Sequence, residues 1–212
     1  KYFNCYVHHY GYVFDTEEEN RKHTERNINL LKKVLEKDEN DHRLKLQLAQ
    51  EYTAIKEYQI SIDISEECIE TIKNIPVKLY DIVSYAGWHI KNIIYSEIQR
   101  ENRKEAYRKA EEFLKMPWIN SVTKNNITNA TTRLAHEFGK YEDCIKYLDI
   151  YLETYDIIKK DEKRRIRETV SDQIDSYLDD NFFLAVLCGI LAASKLNDLE
   201  RKKNYIKRLS TV

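Results

Sequence analysis

The chain has 212 residues, with 35 Lys and Arg against 36 Asp and Glu and a formal net charge of −1. Charged residues make up 33% and the two signs are interspersed, which gives no general pull toward nucleic acid or an anionic membrane. Only 4 Gly and 2 Pro occur, too few breakers for a β-sandwich, so long helices are expected.

Residues 2–14 alternate loosely and are rich in Tyr, Phe and Val, as in a strand that ends near Gly11. Thr16 followed by Glu19 is a capping-box pattern. It predicts a helix with Ile28, Leu31 and Leu35 on one face, widened by Leu30 and Val34. This connector helix, within 16–40, stops in the polar cluster Lys37-Asp38-Glu39-Asn40-Asp41.

From Asp41 the pattern becomes one of helix pairs. The first is about 42–57 and 59–74, with Leu44, Leu48, Tyr52 and Ile55 facing Ile60, Ile64, Cys68 and Ile72. Ile75-Pro76 ends it, because the residue before proline disfavours the α region. The second pair is about 78–99 and 103–115, closed by Met116-Pro117. Ala86 and Gly87 on one helix, and Ala106 and Ala110 on the other, suit a close crossing. In the third pair Ile127, Ala130, Thr131, Leu134, Ala135 and Phe138 repeat at helical spacing. Gly139-Lys140 makes the turn, and Tyr141, Cys144, Ile145, Leu148, Tyr151, Leu152 and Tyr155 form the partner stripe. A more polar helix is expected at about 161–178. A last pair follows at about 181–195 and 198–209, its second member polar and basic as in a terminal cap. Ser61, Ala106 and Cys144 fall at matching places in successive second helices, 45 and 38 residues apart. The fold class expected is all-α: a superhelix of antiparallel helix pairs over 41–212, preceded by an extended segment over 1–15.

Leu48-Ala49-x-x-Tyr52 and Gly139-Lys140-Tyr141-x-x-Cys144-Ile145-x-Tyr147 resemble tetratricopeptide repeats, although Lys56 stands where the turn glycine is usual and the motif Trp is missing. His9-Tyr10-Gly11-Tyr12, then Arg26-Asn27 with Leu30-Leu31, then Leu48-Ala49-x-x-Tyr52, resembles the boundary in bacterial family 2 glycosyltransferases that carry a helical C-terminal region. The resemblance implies that 1–15 is the last edge of a GT-A-type catalytic domain. A nucleotide-sugar and a divalent metal are then implied for that missing domain only. This chain has no Asp-x-Asp and no Gly-rich phosphate loop, so no cofactor and no activity are expected from it alone. Lys1 is not preceded by a Met or a signal peptide, and a fragment or processed product is expected.

Individual residues are weighed against plainer roles. His8 and His9 point to opposite faces of an extended segment and cannot together grip one metal. His9, with Gly11, is a candidate edge of the parent's active site; a tight turn permitted by Gly11 is the alternative. Tyr85, Trp88, His89, Arg133 and His136 lie on first helices and are candidates to line a concave peptide-binding groove; interhelical packing is the competing role for the two histidines. The basic run Lys159 to Arg167 is diluted by Asp161, Glu162 and Glu168 and suits a solvated face. The sequons at Asn126 and Asn129 lie in a helical stripe and are not expected to carry glycan. Cys5, Cys68, Cys144 and Cys188 are far apart with no CxxC pair, so no metal site is expected from spacing. The last three sit among apolar residues as small hydrophobes, in keeping with a reducing cytoplasm. The most apolar window, Phe182 to Ala193, is too short to span a membrane. The partner expected is therefore a protein or peptide, or a second copy in a homodimer, rather than nucleic acid or a bilayer. A free-standing adaptor without an enzymatic parent is the alternative.

Overall fold

The computed structural model describes residues 16–73, 85–163 and 179–210, and every regular element among them is helical. In chain order these are α1 (Glu17–Leu35), α2 (His42–Ala54), α3 (Tyr58–Lys73), α4 (Ala86–Gln99), α5 (Arg103–Phe113), α6 (Ser121–Glu137), α7 (Tyr141–Lys160), α8 (Asp179–Lys195) and α9 (Leu199–Leu209). The extended segment expected at 1–15, with His9 and Gly11, lies outside the described residues, as do Ile75-Pro76 and most of the polar helix expected at 161–178. No helix among those described is long and apolar enough to cross a membrane.

Helix starts follow local chemistry. The Thr16 side chain accepts a hydrogen bond from the Glu19 backbone N–H at 3.2 Å, and Glu17, Glu18 and Glu19 fill the first turn of α1. Asp41, Asn120 and Asp198 cap α2, α6 and α9 through the N–H groups of Leu44, Thr123 and Arg201.

Four hairpins, α2–α3, α4–α5, α6–α7 and α8–α9, are closed by one turn. After α6, Gly139 has φ +68; its N–H reaches the His136 carbonyl at 3.0 Å and Lys140 N–H reaches the Ala135 carbonyl at 2.9 Å. These paired bonds across a left-handed residue form the Schellman motif. The other three hairpins repeat it with Lys56 (φ 66), Glu101 (φ 63) and Asn197 (φ 57) in the left-handed position. Glu57 N–H bonds the Tyr52 carbonyl, Asn102 the Glu97 carbonyl and Asp198 the Ala193 carbonyl, each at 2.9 Å. Five residues after the left-handed residue stand Ser61, Ala106 and Cys144, all fully buried.

Packing runs from each hairpin to the next: α1 lies on α2, α3 on α4, α5 on α6 and α7 on α8. The first helices α2, α4, α6 and α8 also touch in succession. The core forms three apolar groups: Ile28, Leu48 and Tyr52 at one end; Ile69, Ile72, Ile90, Ile93 and Phe113 in the middle; and Leu148, Tyr151, Phe182, Val186 and Tyr205 at the other end. Tyrosines tie the second helices together at their rims. Tyr107 donates to Asp143 at 3.0 Å, Tyr147 to Glu111 at 2.7 Å and Tyr205 to Asp149 at 2.6 Å.

Polar groups hold the interior as well. Asn92 of α4 donates to Ser61 (2.7 Å) and Ser65 (3.0 Å) of α3, and Thr53 of α2 joins through Ser61 at 2.7 Å. Helix α6 buries Thr128, Thr131 and Thr132, whose hydroxyls bond back to the carbonyls of Lys124, Ile127 and Thr128 at 2.7–2.8 Å. Asn125 of α6 donates to the Tyr151 carbonyl and to Thr154 of α7, each at 2.8 Å.

Two expected faces are corrected. Leu30 and Val34 do not widen the α1 stripe; they are 54% and 48% exposed, because α1 packs through the narrower Ile28–Leu31–Leu35 line. On α3, Ile60 is exposed while Ser61, Ile62 and Ser65 are buried, since the Asn92 network draws the serines inward.

The turns generate a prediction. Placing a non-glycine residue in the left-handed region costs about 1–2 kcal/mol, partly offset by the extra unfolded-state entropy of glycine. Lys56→Gly and Glu101→Gly should each stabilise the chain by about 0.5–1 kcal/mol, and Gly139→Ala should destabilise it by about 1 kcal/mol. Gly189→Ala should be worse, about 1–3 kcal/mol, because its Cβ would overlap Leu148 where α8 crosses α7. Urea unfolding of the four variants measures both the order and the signs.

Candidate functional site

One face of α4, built from Gly87, Lys91, Ile94, Tyr95 and Ile98, stands opposite the α6 face of Asn126, Ile127, Ala130, Arg133, Leu134 and Glu137. Between them runs a groove of about 380 Å³, with Arg103 and Asn181 also on its walls. The spacing 87, 91, 94, 95, 98 follows the helical period, so a single strip of α4 lines it. The floor is apolar: Ile94, Ile98, Ile127, Ala130 and Leu134. The walls carry three cations, Lys91, Arg103 and Arg133, and one carboxylate, Glu137, which Arg103 holds at 3.3 Å. Arg133 is exposed and has no ion-pair partner among the described residues. The groove thus offers apolar contact beneath an excess of positive charge.

The five residues expected to line a groove divide. Arg133 is in it. Tyr85 is half-buried just before α4, and its carbonyl accepts the His89 backbone N–H at 2.9 Å. Trp88 is half-buried with the Lys91 ammonium 5.0 Å from its ring centroid, an arrangement that fixes the cation at the groove's edge. His136 is half-buried at the end of α6, its ring 6.1 Å from that of Tyr141. His89 does not face the groove: it is fully buried and turned toward α2, with Nε2 3.2 Å from the His42 carbonyl. Adjacent helical positions differ in direction by about 100°, so His89 lies well round the helix from the strip that begins at Gly87.

That buried histidine belongs to a second constellation. His42 opens α2, Cys68 lies on α3 and His89 on α4. One imidazole nitrogen from each histidine and the Cys68 thiol sulfur all lie within 4.8 Å of one another. Cys68 and His89 are fully buried and His42 is half-buried. The Nδ1 atoms of both histidines are buried without a hydrogen-bond partner among the described residues. Burial lowers the His89 pKa to about 4, against the opposing effect of the His42 carbonyl. Burial, reinforced by Lys45, also lowers that of His42. Burial raises the Cys68 thiol to about 12. At neutral pH both rings are therefore uncharged. The expectation that this chain holds no metal set came from spacing along the sequence; here three helices assemble residues 26 and 21 positions apart (42 to 68 to 89). The only sequence signal is that each of the three sits on or beside an apolar helical face.

A third polar group is structural. Lys109 of α5 reaches Glu97 of α4 at 2.9 Å and Glu66 of α3 at 2.7 Å, and Lys109 and Glu97 are both buried. Asn102 donates to the second Glu97 oxygen at 3.0 Å. Burial pulls the Lys109 pKa down, but its bonds to the two glutamates outweigh this and leave it raised.

A scan against protein-family models finds none that matches this chain, and a search of curated proteins finds no match.

Breaking one side of a buried ion pair leaves an uncompensated charge, so Lys109→Met should destabilise the chain by about 3 kcal/mol. Adding Glu97→Leu to that variant should recover most of the loss. Chemical denaturation of the two variants checks this; a double variant as unstable as the single would show that the pair is not what Lys109 contributes.

Proposed function

We propose that the chain is a tetratricopeptide-like interaction module whose α4–α6 groove binds an extended peptide bearing acidic residues beside apolar ones. The observation that carries this is the groove's composition: an apolar floor beneath Lys91, Arg103 and Arg133, with its one carboxylate already engaged by Arg103. Apolar side chains of the peptide would meet Ile94, Ile98, Ile127 and Leu134, and its carboxylates would meet the cations, which set orientation and encounter rate more than total affinity. The resemblance around His9-Tyr10-Gly11-Tyr12, Arg26-Asn27 and Leu48-Ala49 supports taking the module as the C-terminal region of a family 2 glycosyltransferase, with the peptide belonging to its acceptor. An encoded GT-A-type domain with an Asp-x-Asp-like motif ahead of Lys1 is the direct check on that parent.

The binding itself is tested with fluorescent peptides of mixed acidic and apolar composition, compared with versions in which Lys replaces the acidic residues. Saturable binding is expected only for the acidic set, with affinity falling as salt rises. Arg133→Glu should weaken it by on the order of 10-fold, since it turns an attraction into a repulsion at an exposed side chain with no ion-pair partner among the described residues. Equal binding of both peptide sets, or an unchanged affinity in Arg133→Glu, would remove the groove from consideration.

A further inference from the structure

We propose that His42, Cys68 and His89 form a binding site for one transition-metal ion of borderline softness, zinc(II) foremost. The donor set is two imidazoles and a thiolate, which suits zinc and disfavours magnesium or calcium, whose ligands are oxygens.

The geometry of His89 is the strongest part of the case. Its Nε2 must donate to the His42 carbonyl, 3.2 Å away, because a carbonyl only accepts. That bond fixes the tautomer and leaves Nδ1 as a bare lone pair, buried and unpartnered. A metal-binding histidine is typically held in this way, with one ring nitrogen donating to a carbonyl while the other meets the ion. The His42 ring has its own buried, unpartnered Nδ1. Two unpartnered ring nitrogens beside a fully buried thiol are costly to keep in an interior without a ligand between them.

Distances allow it with small adjustment. A tetrahedral zinc with bonds of about 2.0–2.3 Å sets its ligand atoms roughly 3.3–3.7 Å apart. One ring nitrogen of each histidine and the Cys68 sulfur lie within 4.8 Å of one another, so shifts of about 1 Å close the site. His42, at the first position of α2 and half-buried, is the ligand free to make that movement. The Lys45 ammonium nearby disfavours a further positive charge, but it is itself paired with Glu67 at 2.6 Å and it favours the thiolate form of Cys68 that the ion needs. On binding, the Cys68 S–H bond breaks, its proton passes to solvent, and the sulfur electron pair forms the bond to the metal; no oxidation state changes. The ion would pin α2 and α3 to α4, on a side of α4 away from the groove, so this site stands or falls independently of peptide binding.

The test uses the full 212-residue chain carrying Cys5→Ser and Cys188→Ser, stripped with a chelator and titrated with Zn²⁺, with Co²⁺ as a spectroscopic substitute and Mg²⁺ as control. Expected are one Zn²⁺ per chain, release of about one proton per ion at neutral pH, and a thiolate-to-cobalt absorption band that Zn²⁺ abolishes. The melting temperature should rise by about 5–10 °C when free Zn²⁺ is about 100 times its dissociation constant. His42→Ala, at a half-exposed helix start, should keep the native helical signal and lose at least 10-fold in zinc affinity, and Cys68→Ser should lose the cobalt band. Should Cys68→Ser fail to fold, His42→Ala decides alone. Absence of stoichiometric zinc binding, or binding unaffected by His42→Ala, overturns the proposal.

Discussion

The fold depends on a backbone constraint repeated four times: at the end of a first helix, one residue must take the left-handed conformation so that the chain can reverse within two residues. Gly139 does this without penalty, whereas Lys56, Glu101 and Asn197 do it at a conformational cost. Each turn also satisfies two helix-end carbonyls that would otherwise lack partners. With the reversal fixed, the fifth residue beyond it points inward in the first three hairpins, and there the chain places Ser61, Ala106 and Cys144. Small residues at these positions let neighbouring helices approach closely, and the apolar groups then fill the space between hairpins.

On that frame the interior is held by specific polar bonds as well as by hydrophobic burial. Asn92 gathers Ser61, Ser65 and Thr53 from two neighbouring helices, and Lys109 joins Glu97 to Glu66. Such groups are favourable only when fully satisfied, so they restrict how α2, α3, α4 and α5 can be arranged. They also separate two environments on α4. One strip of the helix meets the charged groove, and another meets the uncharged cluster of His42, Cys68 and His89.

Much of the architecture was legible in the sequence because periodicity and caps are local. Thr16 with Glu19, Gly139 with the stripes on either side, and Ala86, Ala106 and Ala110 all appear where the pattern put them. Lys56 drew notice as an oddity in a glycine position, and the left-handed φ there accounts for it. Glu101 and Asn197 left no such mark, because side-chain type does not reveal a conformation imposed by the surrounding turn. The face of α3 is not legible, since serines that are buried and bonded look, in sequence, like a surface. The candidate groove was legible only at Arg133: pattern alone does not say which side of α4 its neighbour will cover, and so does not show that His89 turns toward α2. The cluster it joins is long-range and has no motif spacing to announce it.

The composition of α6 has a consequence for how the molecule assembles. Seven of the residues in Ser121–Glu137 are Thr or Asn, types that lose helix stability to competing local hydrogen bonds. Here those hydroxyls are turned back onto the helix's own carbonyls, and Asn125 is spent on α7. On its own this segment would be a poor helix. It acquires its shape from the neighbours it touches, α4, α5, α7 and α8. The weakest helix former therefore sits where the two larger core groups meet, and the halves on either side of it must order together. The stack is a cooperative unit joined at α6, and a cut made there would leave neither half with a complete partner.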